Sequence, residues 1–369
     1  MAVIIKKIAS DKTLWIAFIA AVITSFLSSP HIVSDINWHT IASLLSMMLL
    51  VQVYEYLDFL EFIAAGLTKR AKTVRQLMMA IVCLTFFGAS LLTNDIAILT
   101  MIPLFHKLAK HLKLSPVMPV ILIAVSANLG SILTPFGNPH NLYVQTHYNL
   151  SAGQFFSMSL PISVISFLVL MLLTLTFPKQ AIQPRQLKTI VLNKPALTVT
   201  VLITMIFFLS IFSIVPIWLP LIAALIWTII LNYHITETVD YSLLLIFMSF
   251  AVAVGNAGRI PAVVDLFKFL EQGKFSTYLT SIITSQFMSN VPSSILVSQF
   301  THEYVAVFLG TNIGGLGTVI ASMANLLTFK QYNFFFKVKP LRFLMIFFLV
   351  DVLLLLLFGT IGFFLLYLY

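Results

Sequence analysis

Two stretches of this chain place oxygen- and amide-bearing side chains where the surrounding sequence is hydrocarbon. The first is Thr93-Asn94-Asp95, followed downstream by the segment from Asn128 to Asn141, which holds Gly130, Thr134, Pro135, Gly137, Asn138 and Pro139. The second is Ser289-Asn290-Val291, followed by the segment from Asn312 to Asn325 with Gly314, Gly315, Gly317 and Thr318. In both copies an Asn is followed by Gly two residues on, Thr six on and Asn thirteen on. Gly and Pro end helices, which frees the last carbonyls of one helix and the first amides of the next. Freed carbonyls with Asn and Thr oxygens suit a small hard cation such as Na+, and helix N-termini offer amides to an anion. The candidate Na+ ligands are therefore Asn94, Asp95, Asn128, Gly130, Asn141, Asn290, Asn312, Gly314 and Asn325. The candidate substrate contacts are Thr93, Asn94, Thr134, Pro135, Asn138, Ser289, Asn290 and Thr318. No Lys or Arg falls inside any motif, so an anion there would be held by amides, hydroxyls and bound cations.

A carboxylate at membrane depth is costly and marks function by default. Asp95 reads either as a cation ligand or proton carrier, or as a cap on the amides of a turn. The second copy has Val291 in its place. Asp351 is the other carboxylate within an apolar run, and it is expected to pair with a neighbouring helix or face a wet cavity. Pro135 and Pro139 are matched by Val319 and Met323, so the second break must rely on Gly314, Gly315 and Gly317.

These motifs need an apolar frame. Sixty per cent of residues are hydrophobic, nine per cent are charged, and the mean hydropathy is +1.03, which places the chain among polytopic membrane proteins. The net charge of +9 implies no nucleic-acid partner, because the Lys and Arg sit in short loops, the pattern that sets membrane orientation. Cys83 is the sole cysteine, so no intrachain disulfide forms. No H-E-x-x-H or G-x-S-x-G occurs, and neither does a P-loop; the expectation is no enzyme, no ATP-driven pump and no cofactor beyond a coupling Na+ or H+.

Taken in order, the apolar runs predict helices over 13–28 and from Trp38 past Val53, with 54–63 interfacial. The first helix reads as retained, since no small-residue cleavage site follows it. From Leu77 to Leu104 the Thr93-Asn94-Asp95 interruption leaves two arms of about 10–16 residues, short of the ~20 needed to span a bilayer. With basic clusters before (Lys69, Arg70, Lys72, Arg75) and after (Lys107, Lys110, Lys113), this predicts a re-entrant hairpin. Broken crossings are expected over 115–147 and 304–328, plain crossings over 155–177, 241–257 and 341–369, and two crossings within 196–231 turning at Pro216 and Pro220. An amphipathic stretch, 259–274, leads into a second hairpin with its tip at Ser289-Asn290-Val291-Pro292. This topology puts all 21 Lys and Arg except Arg259, Lys268 and Lys274 on one side. The fold class is thus an all-α polytopic membrane protein with two inverted-topology repeats, each with a re-entrant helical hairpin and a broken transmembrane helix. Residues 1–369 form one membrane domain: an N-terminal helix (1–37), repeat 1 (38–177), a linker and connecting helix (178–217) and repeat 2 (218–369). The expected location is the plasma (inner) membrane, N-terminus cytoplasmic and C-terminus outside, with the lipid bilayer as a partner.

At these motifs the chain resembles the ion transporter superfamily, which includes the divalent anion:sodium symporters, the citrate permeases and the arsenite and Na+:H+ antiporter group. In the divalent anion symporters each hairpin tip carries Ser-Asn-Thr, which contacts Na+ and the substrate carboxylate. Asn94 and Asn290 match that pattern, as does Ser289, while Asp95 and Val291 depart from it. The Asn94-Asp95 pair is closer to the arsenite and Na+:H+ antiporter branch. The resemblance implies a homodimer whose hairpins and broken helices move as a unit against a scaffold. The combined reading is a secondary active transporter for a small anion (carboxylate or inorganic oxyanion), coupled to Na+ or H+ by elevator-like alternating access. The alternatives are a Na+/H+ antiporter or arsenite-efflux-type permease using Asp95 and, outside that class, an ion channel; inverted repeats favour alternating access over a channel.

Overall fold

A computed structural model describes residues 8–9, 11–28, 31–68, 71–109, 115–182, 191–270, 273–336 and 339–369. Among the basic residues Lys6, Lys7, Lys69, Arg70, Lys110, Lys113, Arg185, Lys188 and Lys337 lie outside the described residues, as do Ser29 and Pro30, which follow the expected first helix. The chain is helical: α1 (Lys12–Leu27), α2 (Trp38–Tyr56), α3 (Phe59–Thr68), α4 (Val74–Leu91), α5 (Asn94–Ala109), α6 (Val117–Gly130), α7 (Pro139–His147), α8 (Ala152–Thr174), α9 (Lys194–Ile211), α10 (Trp218–Asn232), α11 (Tyr241–Ala257), α12 (Pro261–Leu270), α13 (Lys274–Met288), α14 (Asn290–Ser298), α15 (Tyr304–Gly314), α16 (Met323–Phe335) and α17 (Pro340–Leu365).

Among the described residues, Val74–Leu91, Ala152–Thr174, Lys194–Ile211 and Pro340–Leu368 are long and apolar enough to cross a membrane, and α11 with the start of α12 makes a fifth candidate bent by 98°. That bend lies where the amphipathic stretch was expected to leave the crossing. Helix α2 is less apolar than these, and several of its polar side chains are spent on the protein. Thr40 and Thr146 share a hydroxyl–hydroxyl bond of 2.6 Å, and Ser46 donates to Ala42 O at 2.8 Å. A helix enclosed by other helices meets little lipid and tolerates such residues.

Three expectations are corrected. Arm α4 has 18 residues, not 10–16, because Thr73 caps it from outside the apolar run by accepting from Gln76 N, so that a polar first turn is helical as well. Pro216 lies in the turn between α9 and α10, but Pro220 is inside the first turn of α10, where its missing N–H costs no helical bond. The second broken helix resumes at Met323 and runs to Phe335, past the expected 328.

Contacts gather the loops into two groups, as the charge pattern divides them. At one end Arg259 pairs with Asp35. Tyr148 donates to Thr301 O at 3.0 Å, Lys274 donates to Leu366 O at 2.8 Å, and Tyr369 donates to Ser157 O. At the other end Arg75 Nε donates to Phe177 O at 2.9 Å, Thr73 bridges Ala181, and His106 packs on the rings of Phe335 and Phe336. Helices α4 and α5 pack against each other on either side of the turn at Leu92 and Thr93.

Candidate functional site

The two hairpin tips are built differently. In the first, Thr93 Oγ1 accepts from Ile96 N at 3.3 Å and Asn94 Oδ1 from Asp95 N at 2.9 Å, so the turn caps α5. Asn94 Nδ2 then reaches Asn128 Oδ1 at 3.4 Å. In the second, Ser289 alone separates α13 from α14, at φ 76. A non-glycine residue in that region costs roughly 1–3 kcal/mol and persists only where its surroundings hold it. Here Asn290 N donates to Ala321 O at 2.9 Å and Ser293 N to Ser289 O at 3.1 Å.

The two breaks are closed by one repeated network. Asn141 Nδ2 donates to the freed carbonyls of Ser131 (2.8 Å) and Thr134 (3.4 Å). Asn325 Nδ2 does the same to Gly315 and Thr318, both at 3.0 Å. Thr134 Oγ1 accepts from Gly137 N at 3.2 Å and Thr318 Oγ1 from Ala321 N at 3.1 Å. The Thr134 hydroxyl donates to Ser90 O on the first hairpin; that of Thr318 donates to Gln286 O on the second at 3.0 Å. Asn128 and Asn312 then cross between repeats: Asn128 Nδ2 donates to Asn325 Oδ1 and Asn312 Nδ2 to Asn141 Oδ1, each at 2.7 Å. Asn128 to Asn312 and Asn141 to Asn325 are both 184 residues apart, so exchanging the repeats maps this network onto itself. Irregular backbone at membrane depth survives only where its polar groups are satisfied by protein or cavity water, and these residues satisfy it.

The sequence-derived candidates therefore separate. Thr134, Thr318, Asn141 and Asn325 engage the backbone of the breaks, and Asn128 and Asn312 tie the repeats together. A cation at Thr134, Thr318, Asn141 or Asn325 would use the second lone pair of a side-chain oxygen that already accepts. Gly130 and Gly314 are fully enclosed: a Cβ at Gly130 would stand 2.6 Å from Phe86 Cα, and one at Gly314 2.8 Å from Ser285 Cβ. Pro135 is buried in a 3-10 turn. Asn138 precedes α7 without a side-chain capping bond, whereas its counterpart Ser322 caps α16 through Asn325 N. Ser322 and Gln286 escaped the sequence reading. Gln286 Nε2 donates to Gly314 O (2.7 Å) and Leu316 O (3.0 Å), while its Oε1 accepts from Thr318 N at 3.0 Å. Their signals were a Ser in the place of Asn138 and a lone amide shortly before the second tip.

One cavity of about 1080 Å³ reaches the first tip at Thr93 and Asp95, bordered by Pro139 and Met323 at the two breaks. It extends past Met47, Gln52 and Glu55 to Asn232, Asp240 and Lys330. Its volume is at the upper end of small-molecule sites, about 300–1,000 Å³. Asp95 is partly exposed to it, and its enclosed Oδ1 has no hydrogen-bond partner among the described residues. Asp11, Glu55, Asp95 and Asp240 line this cavity against Lys330. Ser289, Asn290 and Thr318 are not in its wall; Asn290 is buried, while Ser289 and Thr318 are half-buried.

A profile of the CitMHS family, described as citrate transporter, matches residues 1–303. An uncharacterized transporter of Methanocaldococcus jannaschii is 31% identical over 320 residues, covering 84% of this chain and 85% of that protein. The Escherichia coli inner membrane protein YbiR is 29% identical over 300 residues, covering 81% of each. The crystal structure of the Alcanivorax borkumensis YdaH transporter, described as having an unusual topology, superimposes with a TM-score of 0.60 over 95% of this chain and 96% of that one, at 11% identity. That likeness bears on the fold alone.

Proposed function

Because the chain belongs to the CitMHS citrate transporter family, we propose that it is a secondary active transporter that moves a small anion, citrate being the first candidate, coupled to Na+ or H+. It is an integral membrane protein and not an enzyme. The observation that carries the proposal is the pair of exchanged amide bonds, Asn128 to Asn325 and Asn312 to Asn141. Each broken helix is closed within its own repeat by Asn141 or Asn325, and the exchanged bonds tie the two closed breaks to each other, so that they move together. Such a core, seen from either side of the membrane in turn, is the geometry of alternating access. An elevator-like displacement and a homodimeric scaffold accompany this reading.

The substrate contacts are the tip residues Thr93, Asn94, Ser289 and Asn290 with the break positions Thr134, Pro135, Asn138 and Thr318. The coupling cation sits among Asn94, Asp95 and Asn128 in the first repeat, and Asn290, Asn312 and Gly314 in the second. An acid-lined approach repels an anion, so the cation must bind first and neutralise Asp95. That same lining favours a second reading, a cation/proton antiporter centred on Asp95.

Thermal unfolding of the purified protein separates the two. The midpoint is followed with citrate, succinate, sulfate or arsenite, each with and without Na+. A ligand at a hundredfold excess over its Kd stabilises by ~2.7 kcal/mol if it binds only the folded form. Stabilisation by one anion that requires Na+ supports the anion symporter. Stabilisation by Na+ alone, sensitive to pH, abolished in Asp95→Asn and indifferent to every anion, replaces it with the antiporter.

The basic end is taken as cytoplasmic. A tag after Tyr369 should accordingly be labelled by an impermeant reagent in intact cells. Labelling only after permeabilisation would invert the orientation.

A further inference from the structure

Asp351 lies in the middle of α17 and is 1% exposed. It was expected to pair with a neighbouring helix or face a wet cavity, yet neither carboxyl oxygen has a hydrogen-bond partner among the described residues. What it faces is the second break: the backbone amide of Gly317 lies against the carboxyl. Gly317 itself holds φ +105, and a Cβ there would meet Gln286 and, at 3.0 Å, Leu355 one turn along α17.

No fixed cation among the described residues answers this carboxyl. The helices packed on α17 are α6, α8, α13, α15 and α16. Helices α6 and α8 carry no titratable side chain. From α13, Lys274 donates to Leu366 O, and Tyr278 donates to Gly359 O two turns further along. Tyr304 stands at the start of α15. On α16, Lys330 lines the cavity and Tyr332 stacks on Phe343. Arg342 is nine residues away on α17 itself, about 13 Å along the axis at 1.5 Å per residue. A bound Na+ would need several oxygens here, whereas the neighbouring polar group is an N–H donor. A proton needs only the carboxyl.

Comparison of the repeats gives the arrangement meaning. Helix α8 follows the first break as α17 follows the second. Its Ser159 donates to Leu133 O at 3.2 Å, and Leu133 stands 184 residues before Gly317. The first repeat thus touches its break with a hydroxyl and carries its carboxyl, Asp95, at the hairpin tip. The second has Val291 at the tip and places a carboxyl on the break. We propose that Asp351 is a proton-binding site of the second repeat, and that its ionisation controls how tightly the break at Gly317 is held to α17. When ionised, the carboxylate accepts the Gly317 N–H and clamps the break. When one oxygen takes a proton from hydronium, which leaves as water, the charge is lost and the hydrogen bond from Gly317 N–H weakens, so the clamp relaxes. This rests on the transporter reading for its purpose, but its test needs no substrate.

The test is infrared difference spectroscopy of the purified full-length protein on a jump from mildly acidic to alkaline pH, joined to hydrogen–deuterium exchange of the peptide containing 315–321. Wild type and Asp95→Asn should show loss of a buried carboxylic-acid C=O band as pH rises, and both Asp351→Asn and Asp351→Ser should lack it. After correction for intrinsic exchange, protection of 315–321 in the wild type should fall at least about tenfold at acidic pH, and this dependence should vanish in both variants. The serine variant supplies the hydroxyl that the first repeat uses, so it guards against misfolding of the amide. A band that persists in Asp351→Asn, or protection that ignores pH in the wild type, overturns the proposal. If no anion or cation ever proves to be transported, these spectra still decide it.

Discussion

Gly130→Ala will fail to give stable, monodisperse protein, with a loss of about 3 kcal/mol or more, whereas Gly153→Ala will be nearly silent. Gly130 ends α6 where that helix touches α4, and an added Cβ would stand 2.6 Å from Phe86 Cα and 2.7 Å from Phe86 C. Those atoms are backbone, so no rotamer change relieves the overlap, and the two helices must separate. Overpacking of this kind costs typically 1–3 kcal/mol, occasionally more, and close backbone approach through small residues is what associates helices in lipid. The separation would also draw Ser90 O away from Thr134, breaking the bond that ties the hairpin to the break. Gly314→Ala should cost less, since the nearest atom there is a Ser285 side-chain carbon at 2.8 Å. At Gly153 a Cβ meets nothing within 4 Å, and the change should lie within about 0.5 kcal/mol. Unfolding midpoints in one detergent measure all three. Equal stability of the Gly130 and Gly153 variants would mean that the α4–α6 contact is looser than these distances require.

The same pair of helices shows what the sequence could and could not reveal. The repeated Asn, Gly, Thr, Asn spacing is enough to mark both breaks, because polar helix breakers in apolar sequence have few reasons to recur. The second break runs on Gly314, Gly315 and Gly317, with φ +105 at Gly317, as the missing prolines required. What those asparagines bond to was hidden. Asn128 pairs with Asn325, 197 residues away, and Asn312 with Asn141, 171 away. Spacing within each repeat says nothing of pairing between repeats, so the sequence could not show that the same amides also close the backbone and join the repeats. Helix starts were lost for another reason: hydropathy begins α4 at Leu77, but Thr73 caps it four residues earlier. Polarity marks where a lipid-facing run stops, not where a helix does.

Asn94→Ala and Asn290→Ala should each lower uptake by about a hundredfold or more while leaving the fold intact, the scale expected when a positioned polar contact is removed from a site built around it. The expectation follows from how little else these side chains hold up. The backbone N–H of Asn290 makes the bond to Ala321 O, and alanine retains it. Asn94 gives its oxygen to the adjacent Asp95 N and its amide to a long 3.4 Å bond with Asn128, while Thr93 continues to cap α5 through Ile96 N. Asn141→Ala and Asn325→Ala are the contrast. Each strips donors from two freed carbonyls and removes the acceptor of a 2.7 Å cross-repeat bond, and a buried polar group left unpaired costs ~1–3 kcal/mol. Those variants should lose stability and transport together. The tip variants should lose transport alone, read as uptake into proteoliposomes set beside the unfolding midpoint of the same preparation. If the tip variants transport at the wild-type rate, the hairpins are not where substrate binds, and the half-open first tip beside Asp95 would be only a well-capped turn.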